Sequence, residues 1–256
     1  MKIVAHMGES EAAPANTLEA FALAWLRGAE CIEGDFHLLK DGTIACMHDG
    51  TAQRTCGVDR KLADLTLAEL KKLDCGSWKS PAWRYTRVPT LPEVLRTVPS
   101  NGEIFIELKC GPAILDFLGE VFAASGLRPE QLTVIAFDEA VISGFKKRFP
   151  AHAAYWLTCN GLENSGGNPS FAYTPDELVE KLKTLGADGV DVLEDPARRP
   201  VSAAHIEALH NAGLVYNVWT VDDPAAVEAL IRCGVDSITT NRAFALKEEL
   251  AARRVL

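Results

Sequence analysis

The sequence predicts an α/β protein, a TIM-type (β/α)8 barrel with one small insertion, and three observations predict it. Short apolar runs alternate with helical segments along the chain, the pattern of a parallel sheet covered by helices. The runs number eight, at 2–6, 31–37, 103–108, 132–136, 153–157, 188–192, 215–219 and 237–240. Polar side chains close several of them, with His6 after KIVA and Glu107 and Lys109 at the end of EIFIELK. Strand carboxyl ends are where barrel enzymes carry their chemistry. A chain of 256 residues with 48% hydrophobic content is the right size for one such barrel as a single domain.

The first strand is followed by a helix over 17–28, which Asn16 or Thr17 can cap. The second strand leads into a hairpin rather than a helix, because CIEGDFHLL and TIACMHD flank a Lys-Asp-Gly turn. With Asp41 and Gly42 as the two turn residues, paired positions sum to 83 and Asp35 lies opposite His48. Residues 50–100 then interrupt the alternation with Gly57, the helical segment TLAELKKL, the aromatic stretch GSWKSPAWRY and a second segment, TLPEVLRTV. This stretch is expected to sit over the barrel mouth, either covering the site or closing one barrel end. Beyond it, helices are expected at 111–125, 139–148, 175–185, 202–212, 223–233 and 243–253. Thr174-Pro175 opens one of these, and the Gly-, Asn- and Ser-rich residues 158–173 read as a loop.

The net charge of −9 gives no general attraction to nucleic acid or to an anionic membrane. An anionic substrate must therefore be drawn by local positive charge. An apolar run of about 18 residues, which a membrane-spanning helix needs, does not occur. The seven cysteines are odd in number and irregularly spaced, without a Cys-x-x-Cys motif. They argue against zinc or a disulfide framework and for a reducing compartment, so a cytoplasmic location is expected. A signal peptide already removed would not show in this chain.

Glu33 and Asp35 are the most informative pair. Strand alternation puts both on one face, and the hairpin brings His48 beside them. Like charges packed together repel and call for a compensating cation, most simply a divalent metal. His6, Glu107 and Lys109 join them from other strand ends. Asp49 is placed to orient His48 through its ring nitrogen, whereas His37 reads as a packed or solvated histidine.

In order and spacing the chain resembles the glycerophosphodiester phosphodiesterases. The matching segments are HMG at 6–8, PANT at 14–17, GAECIEGD at 28–35, KDGTIACMHD at 40–49, RT at 54–55, LTLAEL at 65–70, VPTLPEVL at 88–95, FIELK at 105–109, VWTVD at 218–222 and GVDSITTN at 234–241. The resemblance implies a metal-dependent phosphodiesterase that hydrolyses glycerophosphodiesters, small-molecule substrates, to an alcohol and sn-glycerol 3-phosphate. Glu33, Asp35 and Glu107 would hold one divalent cation, and hard carboxylate donors suit Mg2+ or Ca2+. His6 and His48 would be acid and base, Lys109 would meet the phosphate, and Trp219 would lie near the substrate. Two positions depart from the family. Met7 stands where the family has arginine, and Ala15 where it has glutamate. Losing both leaves no orphaned charge if the two pair in the family. It also permits an alternative reading, a non-catalytic relative that binds metal or a phosphorylated ligand.

Overall fold

The computed structural model describes residues 1–159, 173–194 and 201–255. The strands are β1 (Lys2–Ala5), β2 (Cys31–Leu38), β3 (Ile44–Cys46), β4 (Glu103–Leu108), β5 (Leu132–Ala136), β6 (Ala153–Thr158), β7 (Gly189–Leu193), β8 (Val215–Trp219) and β9 (Ser237–Thr240). Eight of them run parallel in the order β1-β9-β8-β7-β6-β5-β4-β2, and pairing of β1 with β2 closes the barrel. β3 lies outside that ring as the antiparallel return of the β2 hairpin. The helices are α1 (Leu18–Leu26), α2 (Gln53–Cys56), α3 (Leu67–Leu70), α4 (Leu91–Leu95), α5 (Leu115–Ser125), α6 (Glu139–Arg148), α7 (Pro175–Leu185), α8 (Ala203–Asn211), α9 (Pro224–Cys233) and α10 (Ala243–Ala252). The eight expected barrel strands and the long helices all form. Of the loop expected at 158–173, residues 160–172 lie outside the described residues.

Strand alternation divides the side chains into two layers. Ile32, Phe36, Ile104, Ile106 and Leu108 face outward into the main core shared with the helices. Val4, Cys31, Phe105, Ile135 and Leu157 form a separate apolar plug inside the barrel. One and two pleat repeats further along β2, and one further along β4, the inward positions become Glu33, Asp35 and Glu107. The acidic site thus sits toward the strand carboxyl ends with an apolar plug beneath it. Local sequence sets the helix starts: Thr17 is the residue that caps α1, accepting from the Ala20 N–H at 3.2 Å. Thr174 and Glu177 form a reciprocal capping box at α7.

Residues 50–100 supply α2, α3 and α4 and add no strand to the barrel. They carry their own small core, in which Leu62, Leu65, Leu70 and Val88 pack with Leu39 and Met47 of the hairpin. Among the described residues, no helix is long and apolar enough to cross a membrane. All seven cysteines are free.

The hairpin differs from expectation by one residue. The observed pairs are Phe36 with Cys46, His37 with Ala45 and Leu38 with Ile44, so paired positions sum to 82. Asp35 is joined to Met47, whose N–H donates to the Asp35 carbonyl at 2.9 Å, and His48 lies beyond the ladder. The cause is a loop of three residues, Lys40, Asp41 and Gly42, with Gly42 left-handed at φ 81. Asp41 stabilises it by accepting the Thr43 N–H at 3.2 Å.

Candidate active site

The structure brings Glu33, Asp35 and Glu107 together. One carboxylate oxygen from each lies within 4.8 Å of the others, and all three residues are buried. β2 presents Glu33 and Asp35 from alternate positions, and the parallel register sets Glu107 beside Asp35. Lys109 folds back into the cluster, with its Nζ 2.9 Å from Glu107 and 3.3 Å from Asp35. Three carboxylates thus face one ammonium. Glu33 Oε1 is buried without a hydrogen-bond partner, and Asp35 Oδ1 meets only the Lys109 ammonium.

Electrostatics follow from that imbalance. Burial raises the Glu107 carboxyl to about 8, with Asp35 adding to the rise and Lys109 opposing it. Burial, Asp35 and Glu107 drive Glu33 well above the usual carboxylate range. Burial would raise Asp35 too, but Lys109, His48, His6 and the Asn16 hydrogen bond outweigh it and hold that carboxyl at about 2. Lys109 moves up despite burial, because Asp35 and Glu107 favour its charged form. Burial and mutual repulsion thus work against the ionised forms of Glu33 and Glu107, while the lysine favours the ionised form of Asp35.

The two imidazoles flank this cluster, and each is held through Nδ1. His6 follows β1; its Nδ1 donates to Asn241 Oδ1 at 2.7 Å, and its Nε2 lies 3.8 Å from Glu33. Asn241 is turned that way because its Nδ2 donates to Asp222 at 2.7 Å. Burial pushes His6 below the ordinary histidine value, with Asp35 opposing. His48 Nδ1 lies 2.7 Å from Asp49 Oδ1. His37 is packed, with Nε2 3.2 Å from the His48 carbonyl.

Trp219 ends β8 half-buried inside the barrel. Its indole N–H donates to the Asp191 carbonyl at 3.1 Å, and its ring meets Phe137 edge-on at 5.7 Å. Met7 adopts a left-handed backbone, φ 53, and its N–H donates to Glu33 Oε2 at 2.9 Å.

Several residues that build the site are not predicted as site residues. Asn16 grips Asp35 twice: its Nδ2 donates to Oδ2 at 2.7 Å, and its Oδ1 accepts the Asp35 N–H at 3.1 Å. Asn241 and Asp222 support His6. The resembling segments PANT, VWTVD and ITTN contain all three, so the signal was present without a role attached. Asp191 on β7 is fully buried, and burial with Glu107 nearby drives its carboxyl well above the usual range.

Buried carboxylates and a lysine inside a barrel, with two imidazoles nearby, form a site suited to acid–base chemistry on an anionic substrate. The profile of the glycerophosphoryl diester phosphodiesterase family matches residues 6–146 and 153–244. YhdW of Bacillus subtilis, a protein provisionally named glycerophosphodiester phosphodiesterase, is 31% identical over 243 residues, covering 94% of each chain. The glycerophosphodiester phosphodiesterase of Caldanaerobacter subterraneus subsp. tengcongensis is 28% identical, covering 93% of each. Among solved structures, the Agrobacterium tumefaciens enzyme superposes with a TM-score of 0.77 at 25% identity, covering 96% of this chain and 98% of that one. An Oleispira antarctica phosphodiesterase bound to its product sn-glycerol 3-phosphate gives a TM-score of 0.83 at 23% identity, covering 98% and 97%. This chain belongs to the glycerophosphoryl diester phosphodiesterase family and is a phosphoric diester hydrolase.

Proposed function

We propose that the chain hydrolyses glycerophosphodiesters to an alcohol and sn-glycerol 3-phosphate, with one divalent cation at Glu33, Asp35 and Glu107 and with His6 and His48 as acid and base. The observation that carries the reading is the charge imbalance of the cluster: with all three carboxyls ionised, two negative charges are left over after Lys109. A divalent cation supplies that charge. The donors are hard oxygens, Glu33 Oε1 is unpartnered, and their spacing of 4.8 Å or less is within the reach of one ion bound at roughly 2.0–2.6 Å. Mg2+ and Ca2+ both fit this donor set.

A cation held by Glu33, Asp35 and Glu107 would offset negative charge on the phosphate. The remaining chemistry belongs to side chains. With Nδ1 of each imidazole engaged by an oxygen acceptor, Nε2 is the nitrogen left for proton transfer. In the net hydrolysis one imidazole takes a proton from the attacking water, whose oxygen ends on phosphorus, and the other delivers a proton to the departing alkoxide. Lys109, beside Asp35 and Glu107, would donate to the phosphate. The solved Oleispira antarctica neighbour holds sn-glycerol 3-phosphate, which supports glycerol phosphate as the retained half of the substrate.

Residues 50–100 are assigned to the barrel mouth. Support comes from Lys79, whose Nζ donates to the Ser10 carbonyl at 2.6 Å, while Ser10 Oγ donates to Asn241, the partner of His6. Trp78 and Tyr85 of this segment are 41% and 63% exposed.

The test is an assay of purified protein against glycerophosphocholine, glycerophosphoethanolamine and glycerophosphoglycerol with Mg2+, Ca2+ or a chelator. Release of sn-glycerol 3-phosphate that depends on the cation is expected. Metal and phosphodiester binding without turnover of any of the three would favour the non-catalytic reading.

A further inference from the structure

Arg54 stands on α2, and its guanidinium grips Asp49 at two points. Nε donates to Oδ2 at 2.6 Å, and Nη2 donates to Oδ1 at 3.0 Å. The same Oδ1 lies 2.7 Å from His48 Nδ1. Three side chains therefore form one run of charge-assisted hydrogen bonds that ends on the imidazole. Placement of α2 is itself restrained: the Ala52 N–H donates to the Arg60 carbonyl at 3.0 Å, and Gly57 ends the helix in the left-handed region.

A carboxylate held by one contact can swing about its side-chain bonds. A planar fork bound through two nitrogens fixes the carboxylate plane, which an ammonium does not do. A fixed plane presents a fixed lone pair to Nδ1, and that sets both the tautomer and the ring orientation of His48. We propose that Arg54 is a positioning residue for the hydrolysis: acting through Asp49, it holds His48 in the Nδ1–H form with Nε2 free for proton transfer. The proposal rests on the assignment of His48 to acid–base chemistry and not on the identity of the cation.

Two further observations agree. The Arg54 hydrogen bond does most to hold the Asp49 carboxyl down at about 2, which keeps Asp49 an acceptor for the ring. The Arg54 and Asp49 side chains are 50% and 31% exposed, and such a pair contributes little to fold stability. Loss of Arg54 should therefore be felt in turnover and not in melting. His6 is supported by a different device, a neutral amide backed by Asp222, so the effect should be confined to His48.

The experiment compares Arg54→Ala, Arg54→Lys, Asp49→Asn and His48→Ala on one glycerophosphodiester with saturating cation, with melting curves and nitrogen NMR of the His48 ring. In Arg54→Ala, kcat should fall roughly 10–100-fold, the range for removing a group that orients a reacting one, with KM within about threefold. Arg54→Lys should remain impaired, since it keeps the charge without the fork. Added guanidinium should restore part of the kcat of Arg54→Ala and none of that of His48→Ala. The NMR should show the Nδ1–H form in the wild type and a mixture of tautomers in Arg54→Ala. Turnover of Arg54→Ala within about twofold of wild type would overturn the proposal, as would full activity in Arg54→Lys or an unchanged tautomer. A loss confined to KM, or one that tracks a lowered melting temperature, would also overturn it. If His48→Ala keeps its turnover, the acid–base assignment fails instead, and the tautomer measurement still decides whether Arg54 sets the ring.

Discussion

At the scale of the residue, the cluster was legible where charge carried the signal and illegible where neutral polarity did. Glu33, Asp35, Glu107 and Lys109 stand out because charged side chains at the ends of apolar strands are costly without partners. Asn16 and Asn241 do not stand out, because an amide beside a helix start or a strand end reads as a cap or a turn. Their work depends on contacts across long separations, 16 to 35 and 6 to 241, which no local pattern encodes. The histidines give the sharpest residue-level expectation. His6→Ala and His48→Ala should each lower turnover by ~10²–10⁴-fold, the usual contribution of general acid–base catalysis, with unchanged circular dichroism. Turnover within a fewfold of wild type in either variant would remove that histidine from the mechanism. Met7 and Ala15 give a second one. The Asn16 N–H donates to the Met7 carbonyl at 3.0 Å, so the two departures from the family pattern lie in adjoining backbone. Ala15 also borders a small pocket with Asn16, His48 and Arg54. Met7→Arg, Ala15→Glu and the double variant form a thermodynamic cycle. The double variant should exceed both single variants in kcat/KM, since each restored charge then has a partner; simple additivity would show that the two losses are independent.

At the scale of the element, the strands and long helices fell where apolar period and caps put them, and the one misreading was a register. Lys-Asp-Gly can close a hairpin with two turn residues or three, and composition alone does not separate the two. The left-handed Gly42 and the Asp41 hydrogen bond to Thr43 decide for three, and the slip of one residue moves His48 off the ladder. Glu33 and Asp35 kept their shared face because their own alternation does not depend on the partner strand. The turn can be tested directly. A Cβ on Gly42 would lie 2.6 Å from Phe117 Cε1 at φ 81, whereas one on Gly28, at φ 80, meets nothing within 4 Å. Gly28→Ala should therefore report backbone strain alone, about 1 kcal/mol. Gly42→Ala should cost more, about 1–3 kcal/mol, by adding the clash with Phe117. Urea midpoints measure both, and equal losses would show that the Phe117 ring yields freely.

At the scale of the whole molecule, the closed barrel buries the cluster, and burial couples folding to protons and to the cation. Glu107 is raised from 4.5 to about 8 in the folded chain, and Glu33 moves the same way. Between those values the folded protein holds protons that the unfolded chain has released. The favourable contribution of these groups is therefore complete below their ordinary values and is lost as pH rises through about 8. Asp35, held at about 2, has the opposite sign, but its contribution is lost only as pH falls through that value. The metal-free protein should accordingly melt at progressively lower temperature as pH is raised from about 6 to about 9. Saturating Mg2+ or Ca2+ should flatten that decline, because the cation takes the place of the protons. Binding should release roughly one or two protons per ion at neutral pH, read by calorimetry in buffers of different ionisation enthalpy. Glu107→Gln should bind the cation more weakly, release fewer protons and lose part of the pH slope. A melting temperature that falls equally with and without cation, or binding that releases no proton, would mean that the ion does not sit among these carboxylates.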